Sequence, residues 1–228
     1  MTDQDRQKRQ AAEAAVAEVT DGMVLGLGTG STAAMAVDVL AGRVQQGLRV
    51  IGIPTSERTA AQARSLGITL GDLADHPEID LTIDGADEVH TGTLDLIKGL
   101  GGALLREKIV AAASRRMLVV VDQGKLVTEL GRSVRLPVEV VVFGWQATLR
   151  HLEREGADAQ LRLAADGTPY RTDGGNLILD CAFAIPNPKL LQARLKTVPG
   201  VVETGLFVGM AARVIAGTPT GPRILDKP

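Results

Sequence analysis

Short apolar segments alternate with helix-patterned segments through the first half of this chain, and that alternation constrains its fold more than any other feature. Residues 3–19 predict a helix ending near Gly22, followed by a strand over 23–28 and a helix over 31–46. That helix carries Ala34, Val37, Leu40, Ala41 and Val44 on one face. A strand over 49–53 leads to a helix over 56–65, with Ser56 as N-cap and Gly67 as its stop. Strands follow over 79–83 and 94–97, then a helix over 104–113 and a strand over 117–121. Apolar strands separated by helices imply a parallel sheet covered on both faces. The runs Val119–Val121 and Val140–Val142 read as strands buried on both sides. The expected fold class is α/β, a Rossmann-like doubly wound parallel sheet.

The pattern changes after Gly131. A strand over 138–143, a helix over 146–155, strands over 159–164 and 176–183, a helix over 188–197 and a strand over 201–204 form the order β-α-β-β-α-β. That is the ferredoxin-like arrangement. Residues 132–205 are therefore expected to form an inserted α+β domain, and 1–131 with 206–228 the Rossmann-like domain. The apolar pieces 205–208 and 212–215 are expected to rejoin the first sheet.

Composition excludes several function classes. A net charge of −2 lacks the basic surplus of a duplex-binding protein. The five aromatics all lie between Phe143 and Phe207, so the first half has no platform for stacking bases. No nucleic-acid partner is expected. No apolar run approaches the ~18 residues of a membrane span. The polar start shows no signal peptide, and the single cysteine, Cys181, fits a reducing compartment. A cytoplasmic location is the expectation.

Three segments could carry chemistry. Gly26-Leu27-Gly28-Thr29-Gly30-Ser31-Thr32 leaves a strand and enters a helix, where backbone N–H groups and the helix N-terminus favour an anion. A tight structural turn explains it about equally well. Ser31 stands where a dinucleotide fingerprint needs Gly, and no Lys follows as in a P-loop, so a single phosphate fits best. Asp84-Gly85-Ala86-Asp87-Glu88 follows an apolar strand, at the edge where open α/β sheets bind ligands. Asp84 and Asp87 favour function there, whereas Glu88 reads as a solvated loop residue. A Mg²⁺ reading of these acids finds no further cluster to complete a cage. Lys98-Gly99-Leu100-Gly101-Gly102 places a cation at a strand end, with Glu107 in the first turns of the next helix. Glu107 taken alone reads as a dipole-complementing acid. His76, His90 and His151 read as surface residues, and Cys181 as packed.

Together these segments resemble the ribose-5-phosphate isomerase A family. The likeness rests on Gly28-Thr29-Gly30-Ser31-Thr32, Thr55-Ser56 with Thr59, Asp84 to Glu88, and the stretch from Lys98 to Lys108. It extends through Asp122, Lys125, Leu136 to Val140, and Pro199 to Phe207. The resemblance implies interconversion of D-ribose 5-phosphate and D-ribulose 5-phosphate in the non-oxidative pentose phosphate pathway. It implies an enediolate mechanism with no metal and no organic cofactor, and a homodimer or homotetramer. It makes Glu107 the general base, Lys98 the charge that stabilises the oxyanion, and Asp84 a proton relay or an aid to ring opening. Asp87 would orient Lys98 or a sugar hydroxyl. Substrate-binding stretches fall on Thr29, Gly30, Ser31 and Thr32, on Gly85 and Ala86, and on Gly99, Leu100 and Gly101. Lys125 is a further contact, and Lys8 aligns with a lysine near the phosphate. Leu100 departs from the consecutive glycines of many relatives and would be strained if the backbone there needed positive φ. A sugar-phosphate sensing module, a CoA transferase and an amino-sugar phosphate deaminase are the alternatives. The segments assigned to chemistry run from Thr29 to Lys125, inside the aromatic-free part, so the expected site has no ring beside the sugar.

Overall fold

The computed structural model describes residues 2–227; Met1 and Pro228, at the ends of the expected catalytic unit, lie outside it. The chain runs α1 (Asp3–Val16), β1 (Val24–Leu27), α2 (Ser31–Gln45), β2 (Ile51–Pro54), α3 (Glu57–Ser65) and β3 (Leu81–Asp84). Next come β4 (Glu88–His90), β5 (Leu96–Ile97), α4 (Leu104–Ala112), β6 (Met117–Asp122), a 3₁₀ turn (Gln123–Lys125) and β7 (Leu126–Val127). The remainder is β8 (Leu136–Val140), α5 (Trp145–Arg154), β9 (Asp158–Leu161), β10 (Leu177–Ala182), α6 (Pro188–Leu195), β11 (Val201–Thr204), β12 (Leu206–Phe207), β13 (Arg213–Thr218) and β14 (Gly221–Asp226).

Six strands form the main sheet in the order β14-β13-β6-β3-β1-β2, all parallel except the edge strand β14. Side-chain alternation divides β6 between the two faces. Leu118 and Val120 join the cluster beneath α1 and α2, whereas Met117, Val119 and Val121 pack with Phe207, Val89 and Ala111 on the other side. Each such fully buried Val or Leu contributes about 1.5–3 kcal/mol, which is why β6 is apolar at five successive positions. Strand order reverses direction beside β1, because the chain steps to β2 on one side and to β3 and β6 on the other. The carboxyl ends of β1 and β3 therefore flank the crevice where doubly wound sheets hold ligands.

The second sheet, β11-β8-β10-β9, is antiparallel throughout, and α5 and α6 pack on it as the order β-α-β-β-α-β requires. Its core also takes in Ile97, Leu130 and Leu206 from outside that stretch.

Three expectations need correction. β8 stops at Val140, and Val141 and Val142 are exposed rather than buried on two sides. The piece 205–208 does not rejoin the main sheet. Its strand β12 pairs with β5 in a third sheet, β12-β5-β4-β7, while β13 does return beside β6. Strands of two or three residues carry too little periodicity to be read from sequence, so β4 and β7 have no counterpart among the expected strands. Finally, Glu88 is no solvated loop residue. It is fully buried on β4 and accepts hydrogen bonds from Gly131 N (2.6 Å), Ser133 N (2.8 Å) and Ser133 Oγ (2.5 Å).

Candidate active site

The loop after β1 and the end of β3 are joined by one side chain. Asp84 Oδ1 accepts from Thr29 N at 3.0 Å and from Gly85 N at 2.7 Å. Gly28 makes this approach possible, since a Cβ there would stand 2.2 Å from Asp84 Oδ1. Thr29 anchors the other flank, its Oγ1 lying 2.7 Å from Thr55 Oγ1, 2.8 Å from Ser56 Oγ and 3.1 Å from Thr59 Oγ1. Gly30, at φ 119°, turns the chain into α2, whose first residues are Ser31 and Thr32. Lys8 of α1 reaches this helix start and donates to Ser31 Oγ at 3.1 Å. Gln4 of the same helix donates to Asp122 Oδ2 at 3.3 Å, at the head of the 3₁₀ turn bearing Lys125. The start of α2 thus has Lys8 at hydrogen-bond distance, and α1 also reaches the turn of Lys125.

The reacting groups expected from the sequence converge beside this loop. Lys98, only 2% exposed, places Nζ 2.9 Å from Asp84 Oδ2 and 3.4 Å from Glu107 Oε1, and donates to Gly85 O at 2.5 Å. The Asp84 contact is a close ion pair whose angles fall outside those of a hydrogen bond. Burial by itself would lower the Lys98 ammonium, but the carboxylates of Asp84 and Glu107 outweigh it and hold its pKa above the ordinary value. Glu107 lies one turn into α4 and is 3% exposed. Burial pushes its carboxyl up to about 8, with Asp84 and Asp87 adding to the shift and Lys98 opposing it. Its Oε2 is buried with no hydrogen-bond partner among the described residues. A carboxylate with a raised pKa and a free oxygen, next to an ammonium held above its ordinary pKa, is suited to take a proton from carbon.

The remaining expected residues have separate places. Asp87 accepts from Leu100 N at 2.9 Å, so it holds the loop after Lys98 rather than the ammonium itself. Gly85 and Ala86 are half-buried between these two acids. Leu100 carries no strain: the positive φ values of this loop fall on Gly99 (104°) and Gly102 (81°), and Leu100 is exposed. The acids of 84–88 avoid mutual repulsion because Lys98, Leu100 N and the 131–133 backbone each take one.

Sequence reasoning missed one wall. A cavity of about 90 Å³ beside Thr29 is lined by Ser56, Arg58, Gly101, Gly102, Tyr170 and Asp173. Tyr170 and Asp173 come from the connection between β9 and β10, and a Cβ on Gly102 would stand 2.1 Å from the Tyr170 hydroxyl. Phe207 also lies near the centre, with Lys98 Nζ 5.4 Å and Lys108 Nζ 4.8 Å from its ring centroid. The expectation of a site without rings is therefore wrong. Position along the chain separates these aromatics from the residues between Thr29 and Lys125, and only the return of the chain across the sheet brings them together.

A doubly wound sheet with a glycine-rich loop entering a helix start, beside a buried lysine–carboxylate pair, is the equipment of an enzyme that moves protons on small phosphorylated molecules. The comparisons narrow that class. Residues 51–221 match the family model described as ribose 5-phosphate isomerase A (phosphoriboisomerase A). Ribose-5-phosphate isomerase A of Gloeobacter violaceus is 62% identical over 98% of this chain and 97% of that protein. That of Thermomicrobium roseum is 51% identical over 98% and 94%. The structure of ribose 5-phosphate isomerase A from Methanocaldococcus jannaschii superposes with a TM-score of 0.94 at 40% identity, covering 96% of this chain and 98% of that one. A D-ribose-5-phosphate isomerase solved with phospho-erythronic acid reaches 0.96 at 37% identity, covering 99% and 100%. The chain belongs to the ribose 5-phosphate isomerase A family, aldose–ketose isomerases that interconvert D-ribose 5-phosphate and D-ribulose 5-phosphate. Among the described residues no helix is long and apolar enough to cross a membrane.

Proposed function

We propose that Glu107 is the base of this isomerisation, and the observation that carries the reading is its unpartnered, buried Oε2 beside the Lys98 ammonium. Glu107 removes the proton from C2 of open-chain ribose 5-phosphate and returns it to C1. The electron pair of the C2–H bond forms the C1–C2 double bond as the C1=O1 π pair moves onto O1, and Lys98 stabilises the oxyanion of the resulting enediolate. Asp84, held by Thr29 N and Gly85 N, is placed either to relay the proton between O1 and O2 or to assist ring opening. Asp87 acts through the Leu100 peptide. Thr29 to Thr32, Lys8 and Lys125 hold the phosphate, whose binding energy positions the reacting end. A phosphorylated four-carbon acid such as the phospho-erythronic acid bound by the relative presents a planar anionic end like that of an enediolate, which supports the same placement.

Residues 132–205 act in this reading as an inserted unit, and 1–131 with 206–228 as the catalytic one. A homodimer or homotetramer is proposed too, supported by the exposed apolar side chains of Phe143, Leu163 and Leu190; light scattering at a monomer mass of 23.9 kDa would overturn it. A cytoplasmic location is supported by the buried free thiol of Cys181.

Formation of ribulose 5-phosphate from ribose 5-phosphate with EDTA present tests substrate and metal independence together. Glu107→Gln is expected to lose turnover while still binding ribose 5-phosphate in calorimetry. Retained turnover in that variant would remove Glu107 from the mechanism.

A further inference from the structure

The loop from Lys98 to α4 is gripped from outside by Arg162, the residue that follows β9. Its Nη1 donates to the carbonyl oxygens of Gly99 (2.9 Å) and Leu100 (3.0 Å). Its Nε donates to Asp180 Oδ2 at 2.9 Å, and Nη2 donates to Asp180 Oδ1. The pair is largely buried, the side chains being 12% and 20% exposed. The Tyr170 ring stacks beside the guanidinium, 5.9 Å from Cζ to its centroid, and packs its hydroxyl against Gly102.

This arrangement uses every property that separates arginine from lysine. One edge of the planar fork is bidentate on a carboxylate, a further amino group reaches two carbonyls, and the face lies against an aromatic ring. Leu100 is consequently fixed from two directions, its N–H by Asp87 and its carbonyl by Arg162. The segment so fixed joins Lys98, at the end of β5, to the helix that carries Glu107.

We propose that Arg162 is a positioning residue for the isomerisation, setting the path of Gly99–Gly101 and through it the spacing of Lys98 and Glu107. It touches neither reacting group and acts only through the loop. The second sheet thereby takes part in catalysis, since Arg162 and Asp180 are both anchored on it. The proposal rests on Lys98 and Glu107 being the reacting pair.

The test uses Arg162→Lys and Arg162→Ala in the full chain, with kcat, KM, the pH profile and the thermal midpoint measured beside wild type and Glu107→Gln. Arg162→Lys keeps a cation for Asp180 but cannot span both carbonyls. Misplacement of a reacting group by about 1 Å costs up to ~100-fold, so kcat for Arg162→Lys is expected to fall about 10- to 100-fold. KM should change far less, and the acidic limb of kcat/KM should move to lower pH as water enters beside Glu107. If Arg162→Lys loses thermal stability yet keeps the wild-type kcat and pH profile, the residue is a structural bracket and the proposal is overturned. If Glu107→Gln turns over like wild type, the assignment of the reacting pair fails first and the proposal falls with it. Arg162→Ala is secondary; the lysine variant decides even if the alanine variant does not fold.

Discussion

Glu107 is in conflict with the stability of its own protein. Its pKa rises from the ordinary 4.5 to about 8, so between those values the folded chain holds a proton that the unfolded chain releases. That contribution to stability is fully present below about 4.5 and is lost as pH rises through about 8. Glutamine is neutral throughout. The thermal midpoint of Glu107→Gln is therefore expected to gain on wild type as pH rises from 5 to 8, measured by calorimetry at matched ionic strength. Activity runs the other way, because the base must be ionised: kcat/KM should rise with pH along a limb centred near 8. A limb near 4.5 would show that water reaches the carboxylate freely. Gly28 makes a separate point at this scale. Gly28→Ala would drive a methyl into Asp84 Oδ1, and overpacking of this kind costs about 1–3 kcal/mol. Denaturant unfolding should show that loss together with reduced turnover, since the displaced Asp84 is the partner of Lys98.

Among the elements, the loop between β5 and α4 decides most. Leu100 breaks a run of glycines and would be strained if its own backbone needed positive φ, yet the turn places its positive φ at Gly99 and Gly102. Leu100→Gly is thus expected to lower stability by about 0.5–1 kcal/mol through added freedom of the unfolded chain. A rise in thermal midpoint would mean that the leucine backbone is strained after all. This loop also shows what was legible and what was not. Lys98 at a strand end and Glu107 one turn into a helix could be read from apolar runs and spacing. The partners of the intervening peptides could not, because Asp87, Arg162 and Tyr170 are brought to them by pairing between distant segments. Likewise β4 and β7 are too short to show a period, and the pairing of all four strands of the third sheet is set by the surface they cover.

Across the whole molecule, Glu88 ties the third sheet to the segment that enters the second. Its carboxylate takes two backbone N–H groups and one hydroxyl of Gly131 and Ser133. Glu88→Ala leaves those donors without a partner in a buried place, at about 1–3 kcal/mol for each that water cannot reach. The urea midpoint should fall accordingly, and hydrogen exchange should rise first at residues 131–133. Unchanged exchange there would show that the junction is held by its apolar contacts alone. The doubly wound sheet, the β-α-β-β-α-β order, and the glycine, acid and lysine segments at strand ends were legible in the residues alone, because these depend on local periodicity and on short-range backbone needs. That Glu88 is buried, that Leu100 is unstrained, and that Tyr170, Phe207 and Arg162 border an aromatic-free stretch of chain came from the folded molecule. Those facts depend on which distant segments the sheets bring into contact, and no local pattern of residues encodes that.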